Sequence, residues 1–242
     1  LTNLEKAVEL YKIHGGVLDS EGALIEDPAK QIPPEILNNI GVFHFLKNNL
    51  AASKQFFEVA VKSNDLLSNE FSEDQKTTIQ YNLARVNENE LLLQGLSVIK
   101  EEAVDATGDT TMRTEEEDDD LMTSTTKQIQ KLYSDVIGRA PNHVYSKMRS
   151  YYSLALDPLY TASSERLDEL DEKIRLLLNS YESSLEIRAF YGWFMKKFKR
   201  RLTSYNETIK SHNPEDKLYK DTLTKYDSHD CDSLISLGNI YL

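Results

Sequence analysis

The sequence predicts an all-α fold, a right-handed superhelical solenoid of antiparallel helix pairs. Three observations lead there. Apolar residues recur at helical spacing through most of the chain, and no stretch sustains the alternation of a strand. Small residues fall where paired helices must approach closely, as in the run PEILNNIGVFHFLKNNLAASKQFFEVAVKSND from Pro34 to Asp65. Turn and breaker residues (Gly15-Gly16, Pro33-Pro34, Lys47-Asn48-Asn49, Pro141, Asn213-Pro214) separate the helical stretches.

The elements follow in order. Residues 3–14 read as the second helix of a pair, with Ala7 small and Tyr11 bulky, stopped by Gly15 and Gly16. A polar connection runs to Pro33, and Pro34 suits a helix's first turn. The next pair carries Leu37, Ile40, Gly41 and His44 on its first helix and Ser53, Phe57 and Ala60 on its second. That order of large, small and bulky residues is similar to the tetratricopeptide repeat. Gly41 is expected where the two helices touch, and Phe57 where the next repeat must be met. His44 takes a slot usually aromatic and reads as a core-edge residue.

Ser72 and Gln75 form a capping box, so a helix starts near residue 73 and runs to about Lys100, with Leu83 and Ala84 in the large and small slots of a second repeat. Residues 101–126 hold ten acids and one base, Arg113, and few large apolar residues. Such a segment buries too little to order itself, and a disordered acidic insert is expected there. Ile129, Tyr133 and Val136 then follow the spacing of a second helix ending before Pro141. Residues 142–156, 164–180 and 183–201 are expected as helices, although Tyr151 stands where a small residue is expected. Another helix follows Pro214 through Leu218, Leu223 and Tyr226, and Leu234, Leu237, Gly238 and Tyr241 begin one more repeat.

The whole of 1–242 is read as a single solenoid segment. Leu1 lies inside a helical pattern, which gives the expectation of a fragment of a longer protein. Its end stripes (Leu4, Ala7, Tyr11; Leu234, Leu237, Tyr241) are expected to meet neighbouring apolar surface. The net charge is −12, and the acidic stretch accounts for nine of it. The remainder is nearly balanced, which disfavours broad nucleic-acid binding. The one cysteine, Cys231, rules out an intrachain disulfide and suits the cytosol or nucleus. No apolar run is long enough to span a bilayer, so no membrane partner is expected.

Catalytic and metal motifs are absent from the sequence: no Gly-rich phosphate loop, HExxH, CxxC or G-x-S-x-G. No enzymatic role and no cofactor are expected. His229-Asp230-Cys231 has the residue types of a thiol dyad, but adjacent residues point different ways. Three features take a binding or regulatory reading. The inner face of the first clean repeat presents Asn38, Asn39, Val42, Phe45 and Leu46, a candidate groove for apolar side chains of a partner. Glu35 on that face disfavours a clamp for a C-terminal carboxylate, though packing on a neighbouring repeat is an equal use for these residues. Lys196, Lys197, Lys199, Arg200 and Arg201 form a dense basic cluster, either a contact for acidic partner or nucleic acid or a helix end neutralising its own dipole. Thr114, followed by Glu115-Glu116-Glu117, suits an acid-directed kinase.

Five blocks occur in order: PPEILNNIGVFHF, TTIQYNLARVNE, LYSDVIGRAPNHV, LEIRAFYGWFMKK and TKYDSHDCDSLISLGNIYL. Together they resemble the tetratricopeptide-repeat scaffold subunits of the RNA polymerase II-associated factor (Paf) elongation complex, the Cln-three-requiring type, in a fungal version. The resemblance covers about residues 34–242 apart from the acidic stretch. It implies a nuclear scaffold that docks the complex's other subunits, travels with RNA polymerase II, and supports co-transcriptional histone modification through recruited enzymes. It implies no catalytic residue. Asn87 and residues 144–152 depart from the pattern. A peptide-binding adaptor of the co-chaperone kind is the alternative.

Overall fold

A computed structural model describes residues 33–66, 72–100, 103–104, 110–111, 115–199, 201–202, 214–231 and 233–236. The helix expected over 3–14 and the phosphosite Thr114 lie outside the described residues. The described residues include nine helices: α1 (Pro34–Leu46), α2 (Leu50–Leu66), α3 (Glu73–Lys100), α4 (Glu115–Arg139), α5 (Val144–Leu156), α6 (Pro158–Thr161), α7 (Ser164–Ser180), α8 (Leu185–Phe198) and α9 (Pro214–Lys225). Residues 233–236 are also helical. Strand among the described residues is limited to one two-residue antiparallel pair, Ala103–Val104 with Thr110–Thr111. The architecture is that of a tetratricopeptide-like helical repeat.

The chain falls into two compact units. The first takes residues 1–101 and 131–143. In it α1 packs on α2, α2 on α3, and α1 also on α3. Leu37, Ala60 and Ile79 form the buried centre, backed by Ile36, Phe56, Val59 and Val61. Gly41 is where α1 and α2 touch: a Cβ there would lie 2.6 Å from Phe57 Cε1. Phe57 is buried, and the Ser53 hydroxyl donates to the Gly41 carbonyl at 2.8 Å. His44 stacks on Phe56 at 5.3 Å, so it is a packing residue.

Between α1 and α2 the polar turn closes as a Schellman motif. Asn48 adopts φ 58°, its N–H donates to the Phe45 carbonyl, and the Asn49 N–H donates to that of His44. The Asn49 side chain then accepts from the Ala52 N–H and opens α2. At α3 both capping-box bonds form, Ser72 N–H to Gln75 Oε1 at 3.0 Å and Gln75 N–H to Ser72 Oγ at 3.3 Å.

The second unit takes residues 102–130 and 144–242. Its core gathers Met148 and Ala155 of α5, Leu167, Leu170, Ile174 and Leu177 of α7, and Ile187, Phe190, Phe194 and Phe198 of α8. Tyr151 is accommodated half-buried against this core, and burial pushes its phenol pKa up. Gly192 of α8 lies directly under the Tyr219 ring of α9, where a Cβ would collide.

The acidic stretch differs from its expectation. From Glu115 it is the beginning of α4, continuous with the helix that carries Ile129, Tyr133 and Val136. Two physical reasons account for this. Glu115–Asp120 occupy the helix's first turns, where the macrodipole favours negative charge. Thr123, Thr125 and Thr126 are buried, and Thr123 donates to the carboxylate of Asp157 at 3.0 Å. That carboxylate also caps α6 by accepting from the N–H groups of Leu159 and Tyr160. Thr123 and Thr126 are thus packed and hydrogen-bonded rather than solvated, Thr126 donating to the Thr123 carbonyl.

Candidate partner-binding faces

In the first unit, the first helices of successive repeats, α1 and α3, lie side by side and are cross-linked by polar contacts. Gln75 donates to Glu35 at 3.1 Å, and Asn82 donates to Asn38 at 2.9 Å. The Arg85 guanidinium lies over the Phe45 ring at 5.6 Å and also near Tyr81. Behind it, buried Glu88 accepts from the Tyr133 hydroxyl. His143 stands 4.9 Å from the Tyr81 ring, and burial lowers its pKa against the opposing pull of Asp74.

The five residues expected to line a groove are therefore divided. Asn38 is buried and bonded to Asn82, and Phe45 lies half-buried beside Arg85. Val42 is half-buried. Asn39 is exposed, and Leu46 presents 78% of its surface to solvent. Tyr81, Asn82 and Arg85 were not anticipated. Their signal was the aromatic–cation pair at i, i+4, Tyr81 with Arg85, on the second repeat's first helix.

In the second unit, α5 and α8 hold the corresponding positions and pack together. Their shared face is a chain of rings and cations. Arg149 lies 5.8 Å from the Tyr152 ring, Tyr152 lies 5.0 Å from Trp193, and Lys197 Nζ lies 5.2 Å over Trp193. Phe190 stacks on Trp193 from below at 6.0 Å.

The basic cluster is divided too. The Arg201 guanidinium donates to the carbonyls of Thr161 and Ala162, closing the end of α6. Lys197 donates to the Ala155 carbonyl in the last turn of α5 at 3.2 Å. These two cations complement helix C-termini other than their own. Lys196 is exposed and Lys199 half-exposed, with no ion pair to either among the described residues, while Arg200 lies outside them. Of the expected end stripe, Leu234 is half-exposed, and Leu237 and Tyr241 lie outside the described residues.

Chemistry-bearing residues do not converge at His229. The exposed Cys231 thiol contacts the His229 carbonyl at 3.6 Å, not its ring, while the imidazole Nδ1 pairs with the Ser228 hydroxyl at 3.1 Å. Among the described residues, no group of three or more His, Cys, Asp or Glu side chains could hold a metal ion. No described helix is long and apolar enough to cross a membrane.

No known family profile matches the sequence. Two curated relatives do. The chain is 23% identical over 218 residues to Tetratricopeptide repeat protein 1 of Schizosaccharomyces pombe, covering 90% of this chain and 16% of that protein. It is 29% identical over 215 residues to RNA polymerase-associated protein CTR9 of Saccharomyces cerevisiae, covering 88% of this chain and 15% of that protein. The chain thus spans less than a fifth of the length of either relative. Helix pairs stacked on a glycine contact, with a sequence running along these relatives for most of its length, make this an all-helical, tetratricopeptide-like repeat chain similar to CTR9.

Proposed function

We propose that this chain is a non-enzymatic scaffold of a nuclear RNA polymerase II-associated factor complex. In this reading it supports transcription elongation and co-transcriptional histone modification by docking other subunits of that complex. The observation that carries the proposal is the likeness to CTR9 over 88% of the chain. The mechanism is display of rigid helix faces. Residues such as Asn38 and Phe45 are held in place by Asn82 and Arg85, so a partner segment meets a surface that loses little freedom on binding. Exposed Asn39 in the middle of α1 and Leu46 at its end then offer a polar and an apolar anchor.

The test is affinity capture of the complex's other subunits by the tagged chain from nuclear extract. Recovery of polymerase-associated factor subunits supports the proposal, and recovery of none sinks it. Leu46→Asp is the matched variant: the side chain is already exposed, so the fold is kept. Capture through the α1 face should weaken about tenfold, the scale of losing one apolar anchor. Glu35, held by Gln75, puts a carboxylate where a C-terminal carboxylate clamp needs a cation, which disfavours the peptide-adaptor reading. Titration with an acidic C-terminal peptide checks it.

A further inference from the structure

The face shared by α5 and α8 has a charge pattern unlike the helices beside it. Helices α7 and α9 intersperse acids with their cations, and Arg175, Lys220 and Lys225 pair with Asp171, Asp216 and Asp221 one turn away, whereas Arg166, Lys173 and Lys217 have no ion pair among the described residues. Helix α8 contains a single acid, Glu186 in its first turn, and four residues later than its aromatic centre it offers none. Lys197 is held over the Trp193 and Phe198 rings and donates only to a backbone carbonyl. Desolvation by burial lowers its pKa, and no carboxylate among the described residues offsets that cost. Lys196, one turn from Trp193, is exposed without an ion pair among the described residues. Arg149 extends the row of cations past Tyr152. This concentration of positive charge on an aromatic floor belongs to a chain with net charge −12.

We propose that the Arg149–Tyr152–Trp193–Lys197 face, with Lys196, binds a carboxylate-rich segment of a protein partner. Charge complementarity selects that occupant. A carboxylate at Lys197, drawn in by the nearby positive charge of exposed Lys196, supplies the anion that Lys197 lacks, in a partly desolvated setting where charge-assisted hydrogen bonds are strong. The aliphatic parts of an acidic segment lie against the Tyr152 and Trp193 rings. A nucleic acid fits less well. Single strands gain from bases stacking on open rings, and the Trp193 ring is already flanked by Phe190, Tyr152 and Lys197. The inference stands apart from membership of any particular complex, since it rests on this face alone.

Trp193 is the only tryptophan in the chain, so its emission reports the face directly. The experiment is a fluorescence titration of the purified chain with oligoglutamate, with oligoglutamine and single-stranded oligothymidylate in parallel. Oligoglutamate should change Trp193 emission saturably, with an affinity that falls as salt rises. Lys196→Gln keeps the fold, because the side chain is exposed, and should weaken binding several-fold. The double variant Lys196→Gln/Lys197→Gln should weaken it about tenfold or more, the scale of losing charge-assisted hydrogen bonds. Lys197→Arg should retain binding, and Lys225→Gln, on α9, should change nothing. No saturable response to oligoglutamate at low salt overturns the proposal. So does an equal response to oligoglutamine, or binding unaltered in Lys196→Gln/Lys197→Gln. A response to oligothymidylate alone reassigns the face to nucleic acid. No other subunit is present in this assay, so its outcome is independent of capture from nuclear extract.

Discussion

At Gly41 a single missing methyl group sets how closely two helices pair. Its would-be Cβ meets the Phe57 ring, which is itself buried and cannot swing away. Gly41→Ala gains helix propensity yet overpacks this contact, and should lower stability by about 1–3 kcal/mol in urea unfolding. Phe57→Leu placed in the Gly41→Ala background should recover part of that loss, which no surface effect would do. In the second unit the buried Asp171 carboxylate lies close enough to the Tyr191 hydroxyl to raise its pKa and pairs with Arg175 at 3.1 Å. Tyr191 is held protonated, chiefly by burial and then by that carboxylate. Tyr191→Phe removes the hydroxyl beside a buried anion and should cost about 1–3 kcal/mol, read as a lower denaturation midpoint. His143 carries a pH dependence. Its folded pKa lies below the ordinary value because burial disfavours the imidazolium, so the unfolded chain binds more protons near and below that value. Stability should therefore fall as pH drops through the ordinary histidine range toward 5, and His143→Phe should flatten that part of the profile.

Among the elements, local chemistry was legible and tertiary chemistry was not. The capping box at Ser72 and the helix end at Lys47–Asn49 were readable because their partners lie within a few residues in sequence. The start of α4 was not readable. Its composition matches segments that stay solvated, and nothing local reveals that Thr123 reaches a carboxylate 34 residues further on. Thr123→Val keeps the shape but strips that donor from buried Asp157. It should destabilise by about 1–3 kcal/mol, with the loss visible in thermal unfolding. The same distinction explains the candidate faces. Val42, Phe45 and Leu46 were legible as an apolar stripe, whereas the covering of Phe45 by Arg85 depends on a neighbouring helix. Yet the pairing of rings with cations one turn apart was written in the sequence three times: Tyr81 with Arg85, Arg149 with Tyr152, and Trp193 with Lys197.

For the molecule as a whole, the repeat architecture was the most legible property, because helical spacing and small residues at contact points constrain it directly. The division of the chain into two compact units follows from contacts between residues far apart in sequence. Each unit is assembled from two separate stretches, with residues 131–143 returning to the first after residues 102–130 have joined the second. Helix α4 supplies both of those stretches without a break. A terminal deletion at any single position therefore cannot deliver one complete unit free of residues that belong to the other. Trimming from either end should remove cooperative unfolding in steps that ignore repeat boundaries, and a protease nick within α4 should deprive both units of their share of that rod at once.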